Sequence, residues 1–247
     1  MHIILIGTLA SLIAGSVTVL GASSVFFMRK VSEKFLDISI GFAAGVMLSA
    51  TFFGLIQPAI KIGGVWKTAV GILLGTLFLI LVEKMVPHIH RITGTEMPSV
   101  RLSKVWLLIL AITIHNFPEG LSVGVGFAEH NIAAGIILAV GIAIQNAVEG
   151  LAVALSFFKT ENKATKAFLI ASFTCVVEPI GGFLGISVVT IGKFLTPYGI
   201  AFAAGAMLFV TTENLIPEIH SRGNAREATI GLIFGFVVMM ILENVFV

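Results

Sequence analysis

Two polar residues in the middle of a long apolar run have the spacing of metal ligands. His115 and Glu119 are four residues apart, so on a helix they lie on the same face, one turn apart. A neutral imidazole and a carboxylate in that arrangement can bind one divalent ion. Thirty residues later Gln145 and Glu149 repeat the spacing, with an amide in place of the imidazole. Two such pairs predict a metal site where helices meet.

The composition places these residues inside a membrane. Of the 247 residues, 57% are hydrophobic and 11% are charged, and the mean hydropathy is +1.06. A soluble domain carries about 25% charged residues. The apolar runs are long enough to cross hydrocarbon and lack the alternation of barrel strands, so we predict an all-α integral membrane protein. With Cys175 as the single cysteine, an intrachain disulfide and a cysteine metal cluster are excluded.

Eight transmembrane helices are predicted, in a single transmembrane domain covering residues 1–247. The predicted spans are residues 3–28, 38–60, 67–87, 104–128, 131–157, 167–192, 198–218 and 228–247. The connections are short except for residues 88–103, which follow the third span. His88 and His90 in this loop either receive or sense metal, or belong to an ordinary solvated loop.

The positive residues predict the orientation. Cytoplasmic loops carry an excess of lysine and arginine, and with the N-terminus outside, all but three of the fifteen positive residues fall on the inside. The three on the outside are Lys61, Lys67 and Lys193. This separation predicts eight spans with both termini outside and loop 88–103 inside.

An internal repeat is visible in the second and seventh spans. Residues 41–48 read Gly-Phe-Ala-Ala-Gly-Val-Met-Leu, and residues 201–208 read Ala-Phe-Ala-Ala-Gly-Ala-Met-Leu. The two spans run in opposite directions, which predicts a bundle of three, two and three helices with inverted repeats, an arrangement typical of transporters. The alternative is that small-residue helix faces recur by chance.

Further polar residues, Asn116, Asn146 and Glu178, also fall at mid-span. Ionisable groups at that depth cost about 3 kcal/mol or more each and usually mark an ion pathway. We expect one metal position with His115, Glu119, Gln145 and Glu149, and a second with Asn116, Asn146, Glu178 and the shared glutamates. Imidazole, carboxylate and amide donors suit Zn²⁺, Mn²⁺ or Fe²⁺ rather than Cu⁺. Because protons compete with metal for these ligands, binding is expected to weaken as the pH falls.

Several of these residues also have a purely structural interpretation. His115 and Glu119 alone could form a hydrogen-bonded clamp between helices, and Met47 is either a soft thioether ligand or a packing residue. Pro118 lacks an N–H and so frees a backbone carbonyl that can line a cavity. The polar residues near span ends are expected at the interface; they are Glu83, Glu218, His220 and Glu243.

The motifs resemble those of the ZIP family of divalent metal transporters, in the prokaryotic branch of zinc-uptake and GufA-like members. The residues that carry the resemblance are His115-Asn116-Phe117-Pro118-Glu119-Gly120, Gln145-Asn146-Ala147-Val148-Glu149-Gly150 and Val177-Glu178-Pro179-Ile180-Gly181-Gly182. Eight spans, outside termini and a histidine-bearing third loop agree with it. The likeness extends over the whole chain.

The resemblance implies a binuclear centre, inward transport by an elevator-like motion, and a homodimer. One metal would be held by Met47, His115, Glu119, Gln145 and Glu149, and the other by Asn116, Asn146, Glu149 and Glu178, with Glu119 able to bridge. The sequence departs from the commonest pattern at Gln145, where many members have histidine, and at Asn146, where some have aspartate. Both departures reduce ligand strength or charge.

Three functions are therefore compared. The first is transport of a divalent cation, zinc foremost and then cadmium, iron, manganese or cobalt, across the cell membrane (plasma or inner) into the cytoplasm. The second is a metal-dependent intramembrane hydrolase in which Glu119 or Glu149 activates water, but no histidine trio supports it. The third is a structural or sensory bundle. The repeat favours transport, so we expect no catalytic residues, no resident cofactor and no nucleic-acid partner.

Overall fold

The computed structural model describes residues 2–28, 31–85, 104–128, 131–221 and 223–246, and the side chains of these residues except 104–112 and 160–161. All regular secondary structure in these residues is helical. The described part of the chain contains eleven α-helices: α1 His2–Ser23, α2 Glu33–Ser49, α3 Gln57–Gly63, α4 Val65–Met85, α5 Lys104–Gly126, α6 Ile132–Glu161, α7 Ala164–Phe173, α8 Glu178–Ile191, α9 Thr196–Val210, α10 Ile216–Ser221 and α11 Ala225–Val245. The predicted loop 88–103, with His88 and His90, lies outside the described residues.

Seven helical stretches of the described chain are long and apolar enough to cross a bilayer. They are His2–Phe26, Glu33–Gly63, Val65–Met85, Ile132–Lys159, Ala164–Ile191, Thr196–Ser221 and Ala225–Val245. Each coincides with a predicted span to within a few residues, and α5 lies where the remaining span was predicted. The prediction of an all-α, multi-pass membrane protein is confirmed.

Two of these stretches contain π-helical segments at equivalent places. Residues Ala50–Ile56 join α2 to α3, and Thr211–Leu215 join α9 to α10. At the start of each, a threonine hydroxyl donates to the methionine carbonyl one turn back: Thr51 to Met47 at 2.7 Å and Thr211 to Met207 at 2.8 Å. Such widened turns are frequent at functional sites.

The helices associate in pairs through close backbone contacts at glycine. The α2 helix packs on α11, where a methyl group at Gly45 would overlap the carbonyl oxygen of Leu232. The α9 helix packs on α4, where a methyl group at Gly205 would overlap the carbonyl oxygen of Ile72. Gly45 corresponds to Gly205, and Ile72 to Leu232, because the residue numbers in each pair differ by 160. The two contacts therefore join equivalent residues, which we call the same register.

The same register holds at three further contacts of these two helix pairs. Gly75 lies against the Phe202 carbonyl and Gly235 against the Phe42 carbonyl. Glu83 accepts from Asn214 at 3.5 Å, while the Glu243 carboxylate lies against Gly54. Lys34 pairs with Glu227 at 2.9 Å, while the Lys67 ammonium lies 5.4 Å from the Phe194 ring.

The remaining helices form a second group around the polar motifs. Here α1 packs on α6 and α5 packs on α8, and α1 also contacts α5 and α8. Of the seven stretches, those that contain α2 and α9 are the most enclosed. More than half of the most apolar part of each is buried, against a third or less in the other five. Because α6 also contacts α2 and α5 contacts α9, the motif helices lie beside these two stretches.

Candidate metal centre

A hydrogen bond joins the first pair of motif residues from different helices. The Gln145 amide nitrogen on α6 donates to the Glu119 Oε1 atom on α5 at 2.6 Å. Both side chains are fully buried. Because the Gln145 nitrogen is engaged with the carboxylate, its oxygen is the atom left to face a cation.

A second hydrogen-bonded group joins α6 to α8 and α1. The Asn146 amide nitrogen donates to the Glu178 Oε2 atom at 2.9 Å and to the Ala14 carbonyl oxygen at 3.1 Å. The Ser11 hydroxyl donates to the Glu178 carbonyl oxygen at 2.8 Å. The amide of Asn146 is thereby oriented by two acceptors, which fixes its oxygen on the other side.

These residues share an unusual surplus of buried acceptors. Five oxygen atoms are buried without a hydrogen-bond partner: Asn116 Oδ1, Glu119 Oε2, Gln145 Oε1, Asn146 Oδ1 and Glu178 Oε1. Burying a polar atom without a partner costs about 1–3 kcal/mol. A cation bound among these carboxylate and amide oxygens would offset that cost, because it interacts favourably with oxygen atoms that accept no hydrogen bond.

Three further predicted ligands, His115, Glu149 and Met47, lie on α5, α6 and α2. His115 is half-buried on α5, one turn before Glu119, and Glu149 is half-buried on α6, one turn after Gln145. Met47 is fully buried at the end of α2, where its sulfur lies 3.8 Å from the Thr211 hydroxyl.

The carboxylates are close enough to repel one another but do not converge on one point. Glu119 interacts electrostatically with Glu149 and Glu178, and Glu178 also interacts with Glu149. Within the described ranges, no three His, Cys, Asp or Glu side chains are arranged to hold a metal ion together. The amide oxygens of Gln145, Asn146 and Asn116 are thus an integral part of any donor set at this place.

Local backbone features position the side chains. Pro118 lies inside α5 and leaves the Ile114 carbonyl without its helical donor, while the Ser122 hydroxyl donates to the Pro118 carbonyl at 2.7 Å. A 3₁₀ turn, Thr174–Val177, ends where α8 begins at Glu178, so the carboxylate lies at a break in the span. A methyl group at Gly120 would overlap the Glu178 carbonyl, which requires glycine for the close approach of α5 and α8.

Two features of this region differ from the sequence-based expectation or are missing from it. Glu243 was expected at the interface, but it is only 8% exposed because α11 packs it against Gly54. The part played by α1 was not predicted, since it acts through the Ala14 carbonyl and the absent side chain of Gly15, which lies against the Glu178 carboxylate. The small-residue face Ser11, Ala14, Gly15 and Thr18 was the available signal.

The fold is that of a multi-pass helical membrane protein with a buried group of unpartnered oxygen atoms on α5, α6 and α8. Residues 92–243 match the family model described as "ZIP Zinc transporter". The chain is 38% identical over 247 residues to zinc transporter GufA of Myxococcus xanthus, covering 96% of this chain and 97% of that protein. It is 37% identical to zinc transporter ZIPB of Bordetella bronchiseptica, covering 92% and 77% of the two chains, and 32% identical to zinc transporter ZIP11 of Homo sapiens, covering 92% and 93%. The chain belongs to the ZIP zinc transporter family.

Proposed function

We propose that this protein carries divalent metal cations, zinc foremost, across the cell membrane into the cytoplasm. The observation that carries the proposal is the set of five buried, unpartnered oxygen atoms on α5, α6 and α8. A transported divalent ion supplies the positive charge that these oxygens lack. The relatives named as zinc transporters support zinc as the first substrate.

Two adjoining metal positions account for the donor set. The first comprises Met47, His115, Glu119, Gln145 and Glu149, and the second comprises Asn116, Asn146, Glu149 and Glu178, with Glu119 able to bridge. The hydrogen bonds from Gln145 to Glu119 and from Asn146 to Glu178 support this division, because each joins members of one set. Imidazole and thioether at the first position suit zinc or cadmium, whereas the second has only oxygen donors and suits harder ions.

The transport domain comprises the whole chain, 1–247, with eight spans in a three, two, three arrangement. The α5 helix has 23 residues, about 34 Å at 1.5 Å per residue, which exceeds the ~30 Å of hydrocarbon. The common register of the α2–α11 and α4–α9 contacts supports an inverted repeat of spans one to three and six to eight. The charge separation supports both termini outside.

Alternating access is elevator-like, with the group α1, α5, α6 and α8 sliding against α2, α4, α9 and α11. The pairing within each group supports this division, since α1 packs on α6 and α5 on α8, while α2 packs on α11 and α4 on α9. The homodimer rests on the family resemblance alone. A hydrolase is not favoured, because the relatives are named as transporters.

Uptake of radioactive zinc into proteoliposomes tests the proposal. Glu119→Gln, which keeps the shape of a buried carboxylate and removes its charge, is compared with Glu227→Gln, which changes a surface carboxylate paired with Lys34. Zinc enters with the wild type and with Glu227→Gln but not with Glu119→Gln, and unlabelled cadmium, manganese, iron and cobalt rank by competition. Equal zinc flux through all three proteins contradicts the proposed path.

A further inference from the structure

Thr18 on α1 has a hydroxyl group in an unusual state. The side chain is 2% exposed, and its Oγ1 atom is buried without a hydrogen-bond partner. Threonines in helices commonly donate to the carbonyl four residues back, and Thr8, Thr51 and Thr229 do so here at 2.7–2.8 Å. Thr18 does not.

The carbonyl that Thr18 would use is already engaged by the metal centre. It belongs to Ala14, and it accepts from the amide nitrogen of Asn146 at 3.1 Å. The same nitrogen donates to Glu178. Anchoring of Asn146 therefore leaves the Thr18 hydroxyl buried and available, one helical turn from the anchor.

Thr18 of α1 packs against α6 in the same way as Glu178 of α8 packs against α5. A methyl group at Gly120 would overlap the Glu178 carbonyl, and a methyl group at Gly150 would overlap the Thr18 carbonyl. Adding 160 to residue number 18 gives 178, and adding 30 to 120 gives 150. Gly120 follows Glu119, and Gly150 follows Glu149.

A second contact has the same register. Gly21 lies against the carbonyl oxygen of Ala147, and Gly181 lies against that of Phe117. The two glycines again differ by 160 in residue number, and the two carbonyl-bearing residues by 30. The α1–α6 and α5–α8 packings are therefore equivalent over two contacts, with Thr18 and Glu178 as counterparts.

We propose that the hydroxyl oxygen of Thr18 is a ligand of the transported cation, opposite Glu178 in the same centre. The inference rests on the proposed function. The side chain of Glu178 reaches Asn146 of the α6 motif. The counterpart of Asn146 in the α5 motif is Asn116, whose Oδ1 atom is also buried without a partner, and α1 packs on α5. A cation bound by Thr18 and Asn116 satisfies both of their oxygen atoms. Thr18 then supplies a neutral hydroxyl where its counterpart, Glu178, supplies a carboxylate.

The test is metal binding by the purified full-length protein, with zinc and manganese titrated calorimetrically into wild type, Thr18→Val, Thr18→Ser and Thr8→Val. Thr18→Val removes the hydroxyl with little change of shape, and Thr8→Val is the matched control on the same helix, where the hydroxyl is engaged with Ile4. We expect Thr18→Val to weaken zinc binding about tenfold, at the lower end of what groups around a metal contribute. Manganese, the harder ion, loses more, while Thr18→Ser and Thr8→Val bind as wild type.

Thermal unfolding of the metal-free variants separates a ligand from a structural residue. Removing an unpaired buried hydroxyl leaves the Tm unchanged or raises it, so weaker binding of Thr18→Val with an unchanged or higher Tm supports the inference. Wild-type zinc and manganese affinities in Thr18→Val overturn it, as does a loss of affinity accompanied by a lower Tm. Absence of zinc binding by the wild type overturns the proposed function, and this inference with it.

Discussion

The α2–α11 and α4–α9 helix pairs share their packing, whereas the two motif helices between them differ in chemistry. In both helix pairs a glycine admits a carbonyl oxygen at the same register, as at Gly75 with Phe202 and at Gly235 with Phe42. On the motif helices, His115 of α5 corresponds in sequence to Gln145 of α6. Close backbone packing tolerates little variation, because any side chain at these glycines collides with main-chain atoms. Donor groups in a polar centre can change without loss of the fold.

Contacts at the ends of the two helix pairs are equivalent in position but not in chemistry. The ion pair between Lys34 and Glu227 and the cation–π contact between Lys67 and Phe194 occupy the same register but use different chemistry. Both are exposed enough for water to replace them. The comparison predicts that mutations have large effects on transport in the centre, large effects on stability at the glycine contacts, and small effects at the helix ends.

The largest effect is expected from Glu149→Ala. Glu149 belongs to both proposed metal positions, so its loss is expected to lower zinc uptake by more than about 100-fold, since even groups behind the ligands contribute about 10–100-fold. Uptake into proteoliposomes measures this, with the amount of folded protein checked by size-exclusion chromatography. Near-normal uptake excludes the binuclear centre.

The next effect concerns the equivalence of the two helix pairs. Gly75→Ala and Gly235→Ala each place a methyl group on a carbonyl oxygen, and overpacking of this kind costs about 1–3 kcal/mol. Both are expected to lower the Tm by about 3–10 °C, and by similar amounts. Gly192→Ala is the control, since nothing lies within 4 Å of the added carbon. A large Tm difference between the first two variants breaks the equivalence.

A smaller effect tests the chemical difference between the motif helices. Gln145→His makes α6 resemble α5 and replaces an amide oxygen with imidazole, which suits zinc better than manganese. We expect the zinc-over-manganese preference in competition uptake to rise about tenfold, or about 1.4 kcal/mol. If the preference does not change, residue 145 does not set selectivity.

The smallest effects are expected at the helix ends. Lys34→Ala and Phe194→Ala each remove one partner of an exposed contact, and such contacts contribute about 1 kcal/mol or less. Neither variant is expected to change zinc uptake, and each should shift the Tm by no more than about 4 °C. A larger shift in either would show that the helix ends matter as much as the glycine contacts.

The sequence predicted what depends on periodicity and composition. Apolar runs indicated the spans, and the four-residue spacing of His115 and Glu119 placed them on one face. The anchoring of Asn146 on Ala14 is not predictable from the sequence, because it depends on a backbone carbonyl that lies far along the chain. The position of Glu243 near a span end predicts an interfacial side chain. Its burial instead depends on the missing side chain of Gly54, which is close to it only after folding.

Anomalous X-ray diffraction at the zinc edge, from crystals of the full-length protein grown with zinc, would locate the bound metal. We expect anomalous peaks between α5, α6 and α8, about 2.0–2.2 Å from carboxylate oxygens of Glu119 and its neighbours. These peaks are expected to disappear in Glu119→Gln crystals, while Glu227→Gln crystals keep them. Zinc bound only at the protein surface, with none between the three helices, would show that the buried oxygen atoms do not form the metal centre.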